Sequence, residues 1–552
     1  MQKLEVDAVP PHSRIWAVVH LLFVLFANCI TFPPRGIPLR CGSRTGSDCS
    51  LGINFALWRK RAKKTVSTVI TLQLHVRHVE RRRPLKDRLG VLEDYTRSRI
   101  LLPAMDGAIT NTWLIFPRAK FVTPFAKYFQ SARQMKRANK CWLALLFFWG
   151  CASVLPVYRL SEISVGEPAF FPTIEAYTDA PIVGGNRIQI LFNGDETFPA
   201  ILRDIKTAKF SITFAQYLYE DGSIAYELAE AFSDRCRAGV QVHILIDSQG
   251  SGKIPGEIPA MMRDAGCHVE FFRRIEAPQV FFPWKLLKYN YRNHRRVLVI
   301  DGRIGFTGGY GISDAWTGDG RTENHWRETN ARVEGPVVKH LQAAFAESWL
   351  EATGTLLGGE SYFPRLEPLG EVQAQMVKSS PVGGSFQNYL LLLLSISSAK
   401  QSILITNSYF IPDGTMIEAL LKAAGRGVRV IVLVPGKIDH QITYRASRSN
   451  YGRMLLGGIH IYEYMAALMH AKTMVVDGVW ATIGSTNFDN RSFALNEELN
   501  LTFYDAGLAR QLEDAFERDL KYSKQITYEE WNSRGIGERI YEYFAFPVKE
   551  YL

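Results

Sequence analysis

An internal repeat is the feature that most restricts how this chain folds. Phe210 to Phe214 (FSITF), a helical stretch from Ile224 to Arg237 and Val240 to Asp247 (VQVHILID) recur as Ser402 to Thr406 (SILIT), Met416 to Arg426 and Val428 to Pro435 (VRVIVLVP). Each copy reads as strand, helix, strand. An Ala-Lys pair precedes the first strand in both copies (Ala208, Lys209; Ala399, Lys400), and a Gly-Val pair marks the last (Gly239, Val240; Gly427, Val428). Further on, NHRRVLVIDGRIGFTGG (Asn293 to Gly309) is echoed by MHAKTMVVDGVWATIGS (Met469 to Ser485). In each, an apolar strand meets Asp-Gly and a second strand, the signature of a tight hairpin. A duplicated α/β domain therefore accounts for residues from about 187 to 525. The expected architecture is two tandem α-β-α domains, 175–353 and 385–535, packed with pseudo-twofold symmetry. A Gly-, Pro- and Ser-rich link covers 354–384 and a tail 536–552.

The chemistry sits in the hairpin repeat. In a strand, residues i and i+2 share a face, so His470 and Lys472 project together, as do His294 and Arg296. Asp301 and Asp477 each fall at the hairpin turn, where a role in holding the turn and its neighbours suits them better than proton transfer. Two His-plus-cation pairs related by pseudo-symmetry can face one cleft, placing two imidazoles and two cations around a single anion. That suits phosphoryl transfer: one His attacks phosphorus, the other protonates the leaving alcohol, and the cations with a nearby amide stabilise the non-bridging oxygens. No metal or other cofactor is expected.

These residues resemble the phospholipase D superfamily, whose mark is two His-x-Lys-x4-Asp motifs. The second copy matches in full, with His470, Lys472, Asp477, Gly484, Ser485 and Asn487. The run GSTNFDNRSF (Gly484 to Phe493), NEELNL (Asn496 to Leu501) and YFIP (Tyr409 to Pro412) look like bacterial cardiolipin synthases in particular. The resemblance implies a double displacement through a phosphohistidine, with His294 as nucleophile and His470 as general acid, an order that the symmetry of the site leaves reversible. It also implies an acidic partner for each catalytic His, and Glu328 (in WRET) and Glu498 (in NEEL) stand at those places. Two departures mark the first copy: Arg296 replaces the usual Lys, and Gly311 falls where the second copy has Asn487. They imply unequal roles for the halves or a weakened enzyme.

Charge and hydropathy extend this expectation to lipid. Residues 1 to 160 hold 26 Lys and Arg against 8 Asp and Glu, leaving 39 against 46 in the remainder, so the net +11 is entirely N-terminal. A catalytic region of net negative charge argues against a nuclease that tracks a phosphate backbone. Apolar runs at 15–32 and 141–157 approach bilayer-spanning length. Arg133, Lys136, Arg137 and Lys140 precede the second, which is the candidate transmembrane helix; the positive-inside tendency then puts the catalytic domains on the outer side of the cell membrane. The intervening 35–140 reads as a basic linker leaning on anionic head groups, or an extension without function. VFFPWKLLKY (280–289) reads as a loop at the bilayer interface. Seven cysteines without a CxxC pair suggest neither a disulfide framework nor a zinc site. The expected reaction is transfer of a phosphatidyl group from one phosphatidylglycerol to another, releasing glycerol. Hydrolysis to phosphatidic acid is the alternative, and a nuclease or non-catalytic binding module stands further off. A membrane is the expected partner, with no nucleic acid and no obligatory protein partner.

Overall fold

A computed structural model describes residues 50–62, 65–77, 163–274, 290–380, 384–437, 441–535 and 538. Both apolar runs, the 280–289 loop and nearly all of the 536–552 tail lie outside the described residues. Among the described residues, no helix is long and apolar enough to cross a membrane. The chain divides into two units, Met1–Met135 and Lys136–Leu552. Within the first, the segment read as a basic linker contains an antiparallel hairpin of β1 (Ser50–Ala62) and β2 (Thr65–Arg77). The β-branched run TVSTVI suits that strand conformation.

The second unit carries the repeat. Its opening helix α1 (Phe170–Thr178) is followed by β3 (Val183–Phe192), α2 (Asn193–Thr207), β4 (Ser211–Gln216), α3 (Ser223–Arg237), β5 (Gln241–Asp247), α4 (Glu257–Asp264) and β6 (His268–Phe272). The hairpin β7 (Val297–Ile300) and β8 (Ile304–Gly308), then β9 (Thr329–Glu334) and α5 (Val338–Thr353), complete the first copy. The second copy runs β10 (Val372–Ser379), α6 (Gln387–Ser398), β11 (Ser402–Thr406), α7 (Gly414–Gly425), β12 (Arg429–Pro435), α8 (Gln441–Ser449), α9 (Tyr451–Leu456) and β13 (His460–Tyr464). Its hairpin is β14 (Thr473–Val476) and β15 (Trp480–Gly484), followed by α10 (Asn490–Ala494), β16 (Glu498–Tyr504), α11 (Ala506–Leu520), β17 (Ser523–Ile526) and α12 (Tyr528–Asn532).

All fifteen strands of this unit join one sheet, whose order is the same read outward from the β3–β10 seam. On one side it runs β3-β9-β8-β7-β4-β5-β6, on the other β10-β16-β15-β14-β11-β12-β13, with β17 closing the second edge. Strands β4, β5 and β6 are parallel, as are β11, β12 and β13, so helical crossovers connect them. Strands such as β4 and β7 are buried at every residue because helices cover both faces. On one face a single core crosses the seam, joining Leu341, Phe345 and Trp349 of α5 to Leu508, Leu512 and Phe516 of α11. On the other face each copy has its own core, around Phe214 and Phe232 in the first and Ile403 and Leu420 in the second. Each fully buried large side chain stabilises the fold by roughly 1.5–3 kcal/mol.

Three features differ from the sequence reading. The link is shorter than 354–384, because β10 lies inside it and forms the seam, pairing with both β3 and β16. Helix α1, which overlaps the start of the first predicted domain, packs into the core of the second copy through Phe170 and Ile174. The expectation of no disulfide is also corrected: Cys236, at the end of α3, is bonded to Cys267, just before β6, with Cα atoms 5.5 Å apart. The two lie 31 residues apart and meet only because α3 packs beside the α4–β6 connection.

The hairpin aspartates hold the repeat in register. Asp301 and Asp477 both adopt φ 53°, each followed by a positive-φ glycine (Gly302, Gly478), as the turn requires. The Asp301 carboxylate accepts from the backbone amides of Lys209, Phe210 and Ser211, fastening the turn to the start of β4. Asp477 does the same with Lys400, Gln401 and Ser402 at β11. Replacing Asp477 by Ala strands these amides and puts a less tolerant residue at positive φ. D477A is expected to lower unfolding free energy by about 2–4 kcal/mol, and D477N by about 1, since its amide oxygen still accepts. Urea titration of both variants checks this; equal losses would show that hydrogen bonding at the turn is not what matters.

Candidate active site

His294 and His470 each lie three residues before the first strand of their hairpin, β7 or β14. Backbone pairing across the seam fixes them. The His294 amide donates to the Glu497 carbonyl (2.9 Å) and the Glu497 amide to the Arg292 carbonyl (2.8 Å). In the mirrored arrangement, the His470 amide donates to Arg327 (2.8 Å) and the Arg327 amide to Leu468 (2.9 Å). The residue that follows each bridge partner is the acidic one, so each half lends its glutamate to the other half's histidine. Nδ1 of His294 lies 2.9 Å from Oε1 of Glu498, and Nδ1 of His470 lies 2.6 Å from Oε2 of Glu328. A carboxylate there accepts a hydrogen bond from Nδ1–H, fixing the tautomer that keeps the lone pair on Nε2.

The cations sit beside these rings. Lys472 donates to the His470 carbonyl (2.6 Å) and to Ser408 Oγ (2.5 Å), with Nζ 3.3 Å from His470 Nε2. Ser408 in turn donates to the Asn487 side-chain oxygen (3.0 Å). Arg296 is 2% exposed and donates one guanidinium N–H to the His294 carbonyl, while its Nε has no partner. The edge of Tyr217 meets His294 (ring centroids 4.7 Å), and the Arg296 guanidinium lies 5.5 Å from the same tyrosine ring. Asp301 and Asp477 stand apart, at the hairpin turns already described.

The glycine at 311, where the second copy has an asparagine, has a steric cause. Aligning the copies on their histidines sets Gly309, Gly311 and Trp316 opposite Ser485, Asn487 and Ser492. A Cβ at Gly311 would stand 2.9 Å from the Trp316 ring, and one at Gly309 2.7 Å from both Glu328 carboxylate oxygens. Trp316 thus takes the space an asparagine would need and brings its indole N–H to Glu328 (3.3 Å), which also accepts from the Thr329 amide (3.0 Å). Glu498 is instead held by the hydroxyls of Ser485 and Ser492. Trp316 meets His470 edge-on at 5.1 Å, and Trp326 lies 5.6 Å from it. Sequence reasoning missed Tyr217, Ser408 and both tryptophans. The stretch that holds Trp316 differs from its counterpart at every position from 309 to 317, so the repeat gives no signal for it.

Burial sets the electrostatics. It drives the His294 imidazolium well below its ordinary pKa, helped by Arg296, Lys472 and His470. His470 is pushed down to about 4 by burial and Lys472, with Glu328 opposing. Each ring therefore feels the other half's cation, since Arg296 also acts on His470. Lys472 is pushed down to about 7, again chiefly by burial. Burial likewise raises the Glu498 carboxyl to about 7 despite the Ser485 hydroxyl and Arg296. Burial also works to raise Glu328, but His470, Lys472 and the Thr329 amide hold it below its ordinary value. A His470 near 4 is uncharged at neutral pH and lends Glu328 little charge. Lys472 and the amide remain, and we take Glu328 as ionised. Two neutral imidazoles, that of His470 with Lys472 beside its Nε2, and two buried cations make a site short of one anion.

The sequence pattern described as "Cardiolipin synthase, PLD-like domain" matches residues 201–349 and 392–520, about half of the chain. The major cardiolipin synthase ClsA of Bacillus subtilis is 37% identical over 363 residues, covering 65% of this chain and 73% of the relative. Cardiolipin synthase A of Pseudomonas putida is 34% identical over 351 residues, 63% of this chain and 72% of the relative. Among solved structures, phosphatidylserine synthase of Haemophilus influenzae superposes with a TM-score of 0.54 at 14% identity, covering 69% of this chain and all of that one. At that identity the likeness concerns the fold alone. The duplicated sheet, the paired histidine motifs and these matches lead to one placement: the chain belongs to the cardiolipin synthase family of phospholipase D-like proteins.

Proposed function

We propose that the protein is a phosphatidyltransferase that makes cardiolipin from two phosphatidylglycerol molecules, with His294 as nucleophile and His470 as acid and base. The observation that carries this reading is the crossed pairing of Glu498 with His294 and Glu328 with His470, which brings both motifs to one buried, cation-rich site. Nε2 of His294 attacks phosphorus, and the bond to the leaving glycerol oxygen breaks as His470 supplies its proton. The second alcohol then gives its proton to His470 as its oxygen displaces His294, and glycerol is the net by-product. The division of labour follows the carboxylates. His294, beside a Glu498 whose acidity is weakened, stays a neutral nucleophile. His470, beside an ionised Glu328, is the ring better able to carry a proton once a substrate phosphate adds its negative charge. Arg296 and Lys472 hold the non-bridging oxygens, Arg296 through a guanidinium fork with an unused N–H. Both halves come from one chain, so no second protein is required.

The reading includes a membrane substrate and an outward-facing catalytic unit. The Arg- and Lys-rich flank ahead of 141–157 supports the orientation. The Cys236–Cys267 bond supports it independently, since disulfides persist in oxidising compartments.

Purified protein supplied with labelled phosphatidylglycerol is expected to yield cardiolipin and glycerol; phosphatidic acid as the sole lipid product would replace this reading with a hydrolase. Quenching H470A in alkaline denaturant, where a phosphohistidine survives, after mixing with a phosphatidyl donor whose leaving group needs no proton, should trap a phosphatidyl group on His294, with turnover on phosphatidylglycerol lowered about 10²–10⁴-fold. H294A should trap none, and a phosphohistidine at His470 in that variant would reverse the roles. Burial pushes Lys472 down to about 7, and only its protonated form grips phosphate, so KM is expected to rise as pH increases beyond about 7. K472R keeps its charge and should flatten that rise; an unchanged alkaline limb would remove Lys472 from phosphate binding. Finally, Cys236 and Cys267 are expected to resist maleimide in the denatured chain until a reductant is added, and immediate labelling of both would remove the disulfide's support for the orientation.

A further inference from the structure

We infer that Trp316 and Trp326 decide whether the phosphatidyl group passes to an alcohol or to water, by keeping bulk water from Nε2 of His470. The inference rests on the transfer reading above. His470 serves as base in the second step, and it cannot choose between hydroxyls by basicity alone. If water reaches it, the water proton goes to His470 Nε2 as the water oxygen bonds to phosphorus and the bond to His294 breaks, giving phosphatidic acid. If a lipid alcohol stands there, the same proton movement gives cardiolipin. Access to the ring is therefore what selects the product.

The two indoles control that access. Their centroids are 4.1 Å apart, both lie against His470, and the Trp326 amide donates to the Ala315 carbonyl (2.6 Å), tying the two segments together. Trp316 is almost fully buried and Trp326 partly so. On the far side lies a groove of about 680 Å³, lined by Trp326 and by Ala315 and Thr317, the neighbours of Trp316. The exposed carboxylates of Asp195, Glu227 and Glu323 give it a polar lining open to solvent. His470 is not among the residues that line the groove, so the tryptophans stand at the boundary between that solvent and the imidazole. Among the described residues, the counterparts of Gly309, Gly311 and Trp316 in the second copy are Ser485, Asn487 and Ser492, and the ring beside His294 is Tyr217. The glycines at 309 and 311 are what make room for the indole beside His470.

The test is the ratio of phosphatidic acid to cardiolipin formed from phosphatidylglycerol in mixed micelles, measured for wild type, W326A, W326F and W316S. A ratio of products does not change with the fraction of protein correctly folded, which separates this role from a structural one. W326A and W316S are expected to raise the ratio at least about tenfold, while W326F, which keeps a ring at the boundary, stays within about threefold of wild type. Unchanged ratios with lowered total turnover overturn the inference and leave the transfer reading standing. A wild-type enzyme that makes no cardiolipin overturns the transfer reading itself, and one that makes phosphatidic acid alone overturns both.

Discussion

Everything in the catalytic unit depends on two carboxylate–imidazole contacts that cross the seam. Glu498 belongs to one copy and orients the histidine of the other, and Glu328 repays the exchange. All four groups are nearly or fully buried. Removing either carboxylate leaves a buried ring N–H without its acceptor, which typically costs about 1–3 kcal/mol, a sizeable share of a domain's net stability. Docking of the two copies and assembly of the site are therefore one event. Neither copy alone presents a histidine with a fixed tautomer, and the core that runs through α5 and α11 supplies the apolar area that holds the copies together. Further ion pairs brace this boundary: Arg295 of the first copy lies 3.7 Å from Glu497 of the second, and Arg327 pairs with Asp519 at 2.9 Å.

The symmetry of the backbone is not carried into the side chains. Around His294 the groups are hydroxyls and a phenol, while around His470 they are two indoles. A double displacement asks different things of its two histidines: one must remain unprotonated and attack, and the other must alternate between acid and base. A duplicated scaffold begins with two identical environments and becomes useful when they diverge. Gly311 marks that divergence here, because the missing asparagine is replaced by a larger side chain already occupying its place.

The strand-helix-strand repeat was legible because its signals are local. Apolar runs closed by Asp-Gly, and helices closed by Gly-Val, need no knowledge of partners, and SILIT at 402–406 coincides with β11. The motif residues were legible because they recur. Contacts that depend on the assembled sheet were hidden. Nothing near Glu328 in sequence says that it serves His470 rather than its own copy's histidine. Strand β10 was concealed because its buried Gln375 breaks the apolar pattern; its side-chain amide donates to Thr178 and Ala180 of the segment around α1, contacts no local window contains. The disulfide was concealed for the same reason, and Trp316 because an isolated aromatic reads as ordinary core.

The choice of cations completes the logic of the site. Arginine keeps its charge when buried, so Arg296 remains a guanidinium with an unused N–H. Lysine yields more readily, and burial leaves Lys472 near the point of losing its proton. A phosphodiester entering the site supplies the missing negative charge and shifts Lys472 and both imidazoles toward their protonated forms. In the proposed mechanism, binding and activation of the acid are thereby coupled through charge: the proton His470 would give the leaving alcohol is stabilised once there is a phosphate to receive the attack. The fixed charge of Arg296 lies beside His294, the proposed nucleophile, and the adjustable charge of Lys472 beside His470, the proposed acid and base.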